Sequence, residues 1–380
     1  MRILQVVTRS DSGGAQSIVL SLSESLCEYG HTVFIASGPE GAGEAWRGLD
    51  PRVSCVEVRH LVRAISPPDD LVAMMELTSL YRRVRPDIVH LHTSKAGAIG
   101  RMAPGMDRGR IVYTMHGYDQ LRVANRRFLK VDMALKGRCG AIAAVSEADL
   151  IAMSEDGYSP RLVPNGTKDT RGLPLEDEKV LRRISELRAK YPVLALLVAR
   201  DARPKRIDLA REVAARLDGE VGILWIGGET KAGDPPGFHA LGAARNAGAY
   251  IGLCDMFLLL SDHEGLSVSM LEAFSSGVAT VASAVPGCLE ALGLGAAGQG
   301  RRGMAVDNDV GKICRAIRLL TVDGELRRKM GLAARAAWEE KYSNGAMTRN
   351  YLAIYEKLLE GRARGEAQLR GRSNGHLQAR

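Results

Sequence analysis

The sequence predicts an α/β protein built from two Rossmann-like domains, each a parallel sheet covered by helices. Three observations lead there. The 380 residues exceed what one small hydrophobic core organises, so two domains are expected. Short apolar strands alternate with helical patterns along nearly the whole chain, which implies parallel sheets covered on both faces. A turn-rich stretch at 164–178, opening with Pro164-Asn165-Gly166, divides the alternation into two series and reads as a linker.

In the first series, strands read at 2–7, 32–37, 53–58, 87–92, 110–116, 141–146 and 161–164, with helices near 15–29, 70–84, 95–103, 123–138 and 147–154. Ligands of such sheets sit beyond the carboxyl ends of the strands. The first strand ends in Thr8-Arg9-Ser10-Asp11-Ser12-Gly13-Gly14-Ala15-Gln16, whose two glycines admit a close ligand at the start of a helix. It is not G-x-G-x-x-G, and a plain strand-to-helix turn is the alternative. The fourth strand ends in His92-Thr93-Ser94-Lys95-Ala96-Gly97 and the fifth in His116-Gly117-Tyr118-Asp119. A histidine there can point into a cleft and donate a hydrogen bond, although a lone histidine is more often structural. Segment 120–138 interleaves Arg122, Arg126, Arg127, Lys130, Lys136 and Arg138 with apolar residues. It fits an anionic membrane surface or, equally, a helix with one solvated basic face.

In the second series, strands read at 193–199, 221–227, 238–242, 256–261, 279–283 and 303–306. The link 228–238 is too short and proline-rich for a crossover helix. Arg200-Asp201-Ala202-Arg203-Pro204-Lys205-Arg206 sets fixed cations at the end of a strand, suited to phosphate or simply a solvated basic turn. The run Met256-Phe257-Leu258-Leu259-Leu260 leads into Ser261-Asp262-His263-Glu264-Gly265-Leu266-Ser267, where Gly265 breaks the strand and Ser267 is a good N-cap for a helix over 268–276. Glu264 in the turn and Glu272 in the helix stand roughly 9 Å apart along the axis. Free N–H groups of the helix start lie between them, a layout that fits a ligand with a central phosphate and hydroxyls at both ends. A crossover helix with a solvated Glu272 explains the same spacing. Helical patterns near 309–320, 323–341 and 345–360 close the chain. The tail 361–380, rich in Gly, Arg, Ser and Gln, reads as disordered.

Composition narrows the function. Aromatics make up only 5%, which disfavours stacking platforms, and no nucleic-acid motif is present, so no nucleic-acid partner is expected. The net charge of +8 is concentrated in 101–138 and the tail. Six cysteines without a C-x-x-C pair read as reduced thiols of a cytoplasmic protein. The first residues form a strand without signal-peptide shape, and no apolar run approaches the ~20 residues that span a bilayer.

Taken together, these loops resemble the retaining glycosyltransferases of family 4, of the GT-B fold and the bacterial surface-polysaccharide type, from Met1 to about Leu359. Glu264 to Glu272 is similar to that family's E-x7-E motif. Arg200 and Lys205 match its diphosphate-binding pair, and Gly13-Gly14-Ala15-Gln16 its glycine loop. Ser94-Lys95-Ala96-Gly97, His116-Gly117, Val145-Ser146-Glu147, Pro164-Asn165-Gly166 and Pro286-Gly287-Cys288-Leu289-Glu290 fall in register. The resemblance implies an acceptor-side domain over 1–168, completed by a returning helix at 345–360, and a nucleotide-sugar domain over 175–342. It implies His116, Arg200, Lys205 and Glu264 as catalytic residues. Donor contacts would come from Gly13, Gly14, Arg200, Lys205, Gly265, Leu266, Ser267 and Glu272, with Glu272 on the ribose and Glu264 on the transferred sugar. Arg200 and Lys205 would neutralise the leaving diphosphate, so neither metal nor cofactor is expected. The donor would be a nucleotide-diphosphate sugar and the acceptor a glycan or polyprenyl-linked glycan, reached in the cytoplasm or peripherally on the inner face of the plasma membrane. Three departures touch nucleotide affinity and base choice: Ala199 and Asp201 flank Arg200, and the link 228–238 is trimmed. A soluble enzyme making a small glycoside, or a sugar-nucleotide-binding protein without catalysis, are the competing readings.

Overall fold

The computed structural model describes residues 1–377 except 12, 119–120, 123–125 and 297. The chain divides into two compact units. One comprises Met1–Val163 with the chain from Gly345 onward; the other is Pro164–Asn344.

The first unit is a seven-stranded sheet in the order β3-β2-β1-β4-β5-β6-β7, from β1 (Arg2–Val7), β2 (Thr32–Ser37), β3 (Ser54–Glu57), β4 (Ile88–His92), β5 (Ile111–Met115), β6 (Ala141–Ala144) and β7 (Arg161–Leu162). Every pairing is parallel. Strands β4 and β5 are buried at every position, as expected of apolar runs covered on both faces. The chain order reverses between β1 and β4, so the loops after these two strands flank the crevice where ligands of open α/β sheets bind.

The helix Asn344–Leu377 brings Met347, Tyr351 and Tyr355 into this unit's interior, where the tyrosine hydroxyls meet Thr114 and His90. Its backbone continues helical to Leu377, within the segment expected to be disordered. Ala, Arg, Glu, Gln and Leu of the tail all favour helix and outweigh its glycines. Within 120–138, the helix Arg126–Ala134 is anchored by buried Asp132, which accepts from Arg101, Tyr113 and Tyr158. Arg127, Phe128, Lys130 and Val131 stay exposed. Of the helix expected over 123–138, residues 135–138 form a turn instead, and 123–125 lie outside the described residues.

The second unit has seven strands in the order β10-β9-β8-β11-β12-β14-β13: β8 (Leu194–Val198), β9 (Gly222–Ile226), β10 (Phe238–Ala240), β11 (Met256–Leu259), β12 (Ala279–Ser283), β13 (Gly298–Gln299) and β14 (Gly303–Val306). All pair in parallel except β13 with β14. The link 228–238 carries no helix. Asp234 holds it instead, accepting from the Lys231 N–H at 2.8 Å and from Arg211. Residues 164–178 are not a free linker. Asn165, Thr167 and Thr170 are buried in the second unit, and a short 3-10 turn occupies Thr170–Gly172. Their polar side chains find partners there, so residues 164–168 belong to this unit rather than to the first.

Candidate active site

In the second unit the order reverses between β8 and β11, so the Arg200–Arg206 loop and the Glu264 turn flank one crevice. The two are sewn together. Arg206 N–H donates to the Leu260 carbonyl and Asp262 N–H to the Pro204 carbonyl, both at 3.0 Å. The Ser261 hydroxyl donates to Pro204. Lys205 and Glu264 form an ion pair with both side chains largely buried. Arg200 stands exposed at the head of the loop. Asp201, a departure from the family pattern, is paired with Lys231 at 2.6 Å, so the trimmed link supplies the cation that offsets its charge.

Helix Val268–Ser276 begins where the sequence places it. Ser267 is the N-cap residue by position, but its hydroxyl makes no bond to the first-turn amides and instead meets Ser269 at 3.4 Å. The helix's own bonding starts with Leu271 N–H to Ser267 C=O, so the N–H groups of Val268, Ser269 and Met270 have no partner within the helix. They present positive dipole ends beside the Lys205–Glu264 pair.

Glu272, one turn in, is hemmed by the 3-10 helix Ala247–Leu253. A Cβ on Gly248 would lie 2.8 Å from its Cδ and 3.1 Å from Thr170 Cγ2, so a larger residue there would push the carboxyl aside. Burial pushes the Glu272 carboxyl from its ordinary 4.5 up to about 7. Among the described residues no side chain or amide donates to it. A ligand bringing a pair of hydroxyls supplies what this carboxylate lacks.

Four supports were not read from the sequence. Asn165 Nδ2 donates to the Leu266 carbonyl at 3.0 Å, and Thr170 Oγ1 donates to the Glu272 carbonyl at 3.2 Å; together they fix the turn and the helix. Gly287 N–H donates to the Glu264 carbonyl, and a Cβ there would collide with the Gly265 oxygen at 1.8 Å. Asn308 accepts from the Ser283 hydroxyl at 2.5 Å and donates to the Ser261 carbonyl at 3.1 Å, tying the ends of β11, β12 and β14. These contacts link residues far apart in the chain. Only the motif match at Pro164-Asn165-Gly166 and Pro286-Gly287 marked two of them.

In the first unit, Gly13 is the extended N-cap residue of helix Gly14–Glu28. Beside it Asp11 accepts from Arg9 at 2.6 Å and from Gln16 at 3.0 Å. The loops after β1 and β4 are joined through the hydroxyls of Thr8 and Thr93, 2.6 Å apart. Thr93 has φ +70, a costly conformation for a β-branched residue, held by this contact and by the Gly97 N–H to Thr93 carbonyl bond. His116, half-buried at the end of β5, hydrogen-bonds His92 at 3.0 Å. Burial lowers its pKa to about 4, so the ring is neutral at physiological pH. Each unit thus gathers its own set of candidate residues at its own switch point. Among the described residues no group of three or more His, Cys, Asp or Glu side chains is placed to hold a metal ion.

Two Rossmann-like units with these loops define a glycosyltransferase of the GT-B fold. Residues 12–171 match the family described as Glycosyltransferase Family 4, and residues 178–337 match Glycosyl transferases group 1. The chain belongs to glycosyltransferase family 4. It is 25% identical to the N-acetyl-alpha-D-glucosaminyl L-malate synthase of Bacillus anthracis, covering 93% of this chain and 96% of that protein. It is 23% identical to the O-antigen biosynthesis glycosyltransferase WbnH of Escherichia coli, covering 94% and 98%. Crystalline Anabaena HepE in complex with UDP superposes with a TM-score of 0.77 at 15% identity, covering 94% of this chain and all of that one, a likeness of fold alone.

Proposed function

We propose that this glycosyltransferase moves a sugar from a nucleotide-diphosphate donor to a glycan or lipid-linked acceptor in cell-surface polysaccharide synthesis, with retention of anomeric configuration and without a metal ion. The observation that carries this reading is the Arg200–Arg206 loop sewn to the Glu264–Glu272 turn and helix at one switch point. Arg200, Lys205 and the first-turn amides of the helix supply fixed positive charge for the departing diphosphate, in the role a divalent ion otherwise fills. An ammonium has three donors, so Lys205 serves a phosphate oxygen while keeping Glu264 in place for the sugar hydroxyls. Glu272, short of donors, takes the ribose hydroxyls. His116 contacts the transferred sugar, and the acceptor hydroxyl attacks the face that the diphosphate leaves.

The likeness to the Escherichia coli O-antigen enzyme supports the polysaccharide reading. The exposed Phe128 and Val131 beside Arg127 and Lys130 support work at an anionic membrane surface on its cytoplasmic side. No described helix is long and apolar enough to cross a membrane. The likeness to the Bacillus anthracis malate synthase supports the second reading, a small soluble acceptor. Proton NMR of the product decides the stereochemistry: the donor's own anomeric configuration is expected, and the inverted anomer overturns retention. Turnover that EDTA abolishes and Mg²⁺ restores overturns metal independence.

A further inference from the structure

The side chains behind His116 form a chain that leads into the centre of the first sheet. His92 and His90, two residues apart on β4, face the same side and are fully buried, with ring centroids 3.9 Å apart and the rings tilted by 37°. His92 Nδ1 meets His116 Nε2 at 3.0 Å, and His92 Nε2 meets Gln5 Oε1 at 2.6 Å. Gln5, on the neighbouring β1, is also fully buried. His90 is satisfied separately, by the Tyr355 hydroxyl at Nδ1 and by Thr114 at Nε2.

With the Gln5 oxygen facing His92, proton counting along this chain has one solution. A neutral imidazole has one donor and one acceptor. An amide oxygen only accepts, so Gln5 places the His92 proton on Nε2. His92 Nδ1 is then bare and requires a donor, so the His116 proton sits on Nε2. His116 Nδ1 is left as a lone pair. The Gln5 nitrogen, buried as well, has no hydrogen-bond partner among the described residues. Burial holds His90 and His92 well below the usual histidine range, so neither takes a second proton.

We propose that Gln5 and His92 are positioning residues that fix the tautomer of His116, so that His116 accepts a hydrogen bond from a substrate hydroxyl through Nδ1 instead of donating one. This reverses the donor role expected of a histidine at a strand end. It rests on the proposed sugar transfer only for the identity of that hydroxyl, since the tautomer is a property of the protein itself.

Histidine ¹⁵N NMR on the full chain tests it, with His116 assigned through His116→Gln. The expected spectrum shows the His116 proton on Nε2 and a bare Nδ1; a proton on Nδ1 overturns the proposal. In Gln5→Met the fixed acceptor is gone, so His116 should populate both tautomers, and kcat should fall about tenfold with the donor KM changed less than about twofold. An unchanged tautomer in folded Gln5→Met overturns it as well. If Gln5→Met does not fold, the wild-type spectrum alone decides. Absence of turnover with every donor, alongside the expected spectrum, counts against the sugar-transfer reading and leaves the tautomer assignment standing.

Discussion

Replacing Glu272 with Gln should make the protein more stable and bind nucleotide less well. Desolvation sets the size of the effect. Gly248 and Thr170 crowd the carboxyl, and its pKa rises from 4.5 to about 7. A carboxyl raised on folding is more easily ionised in the unfolded chain. The ionised form therefore costs stability from about pH 4.5 upward, with the full cost reached above about pH 7. At ~1.4 kcal/mol per decade the ceiling is roughly 3 kcal/mol. Glu272 keeps some solvent access, so we expect on the order of 1 kcal/mol. For a unit of this size that is about 2–4 °C in Tm. Thermal melts of wild type and Glu272→Gln at pH 8 and pH 4.5 should show the variant higher at pH 8 and the two nearly equal at pH 4.5. Calorimetry at pH 8 should show the variant binding nucleoside diphosphate about tenfold more weakly, because an amide replaces an ionised acceptor. Equal melting at pH 8, or a less stable variant, would refute the desolvation argument. Unchanged nucleotide affinity would refute the ribose role.

Further predictions follow from neighbouring contacts. Gly248→Ala places a methyl 2.8 Å from Glu272 Cδ and should weaken nucleotide binding about tenfold, measured by calorimetry; affinity within twofold of wild type contradicts the packing account. Lys205→Met removes a cation from the leaving diphosphate and leaves Glu264 unpaired; turnover should fall ~10²–10³-fold, and a loss under tenfold removes Lys205 from the mechanism. Converting Arg127 and Lys130 to Glu and Phe128 and Val131 to Ser should abolish sedimentation with phosphatidylglycerol vesicles while leaving the melting temperature within a few degrees; equal binding removes the membrane role of this helix.

The parts of the fold legible in the sequence are those set by local apolar pattern. Strands at Arg2–Val7, Thr32–Ser37, Ala279–Ser283 and Gly303–Val306, and the helix Val268–Ser276, stand where the pattern places them, because each is a short hydrophobic run bounded by turn residues. Strand β13 was invisible: it is two residues long, lacks apolar character, and pairs antiparallel at the sheet's edge. The candidate site was legible where its residues follow strand ends, as the positions of Arg200, Lys205, Glu264 and His116 do. It was not legible where support comes from long range. Asn165 and Thr170 look like linker residues until Leu266 and Glu272, about a hundred positions on, meet them. Gly248 looks like an ordinary glycine until a carboxyl approaches it, and Gly287 was marked only by its motif match, not by the carbonyl that approaches it. The spacing of His90 and His92 was a usable signal, since alternate residues of a strand share a face. Their partner Gln5 sits on another strand and carries no such mark.

The central claim is the transfer of a sugar from a nucleotide-diphosphate donor. The direct measurement is release of nucleoside diphosphate from UDP-, GDP- and ADP-sugars, with and without membrane lipid extract, beside Glu264→Ala. The account predicts release from one donor, raised by lipid and lost in the variant. Nucleotide binding with no release from any donor, or release that Glu264→Ala leaves intact, would contradict it.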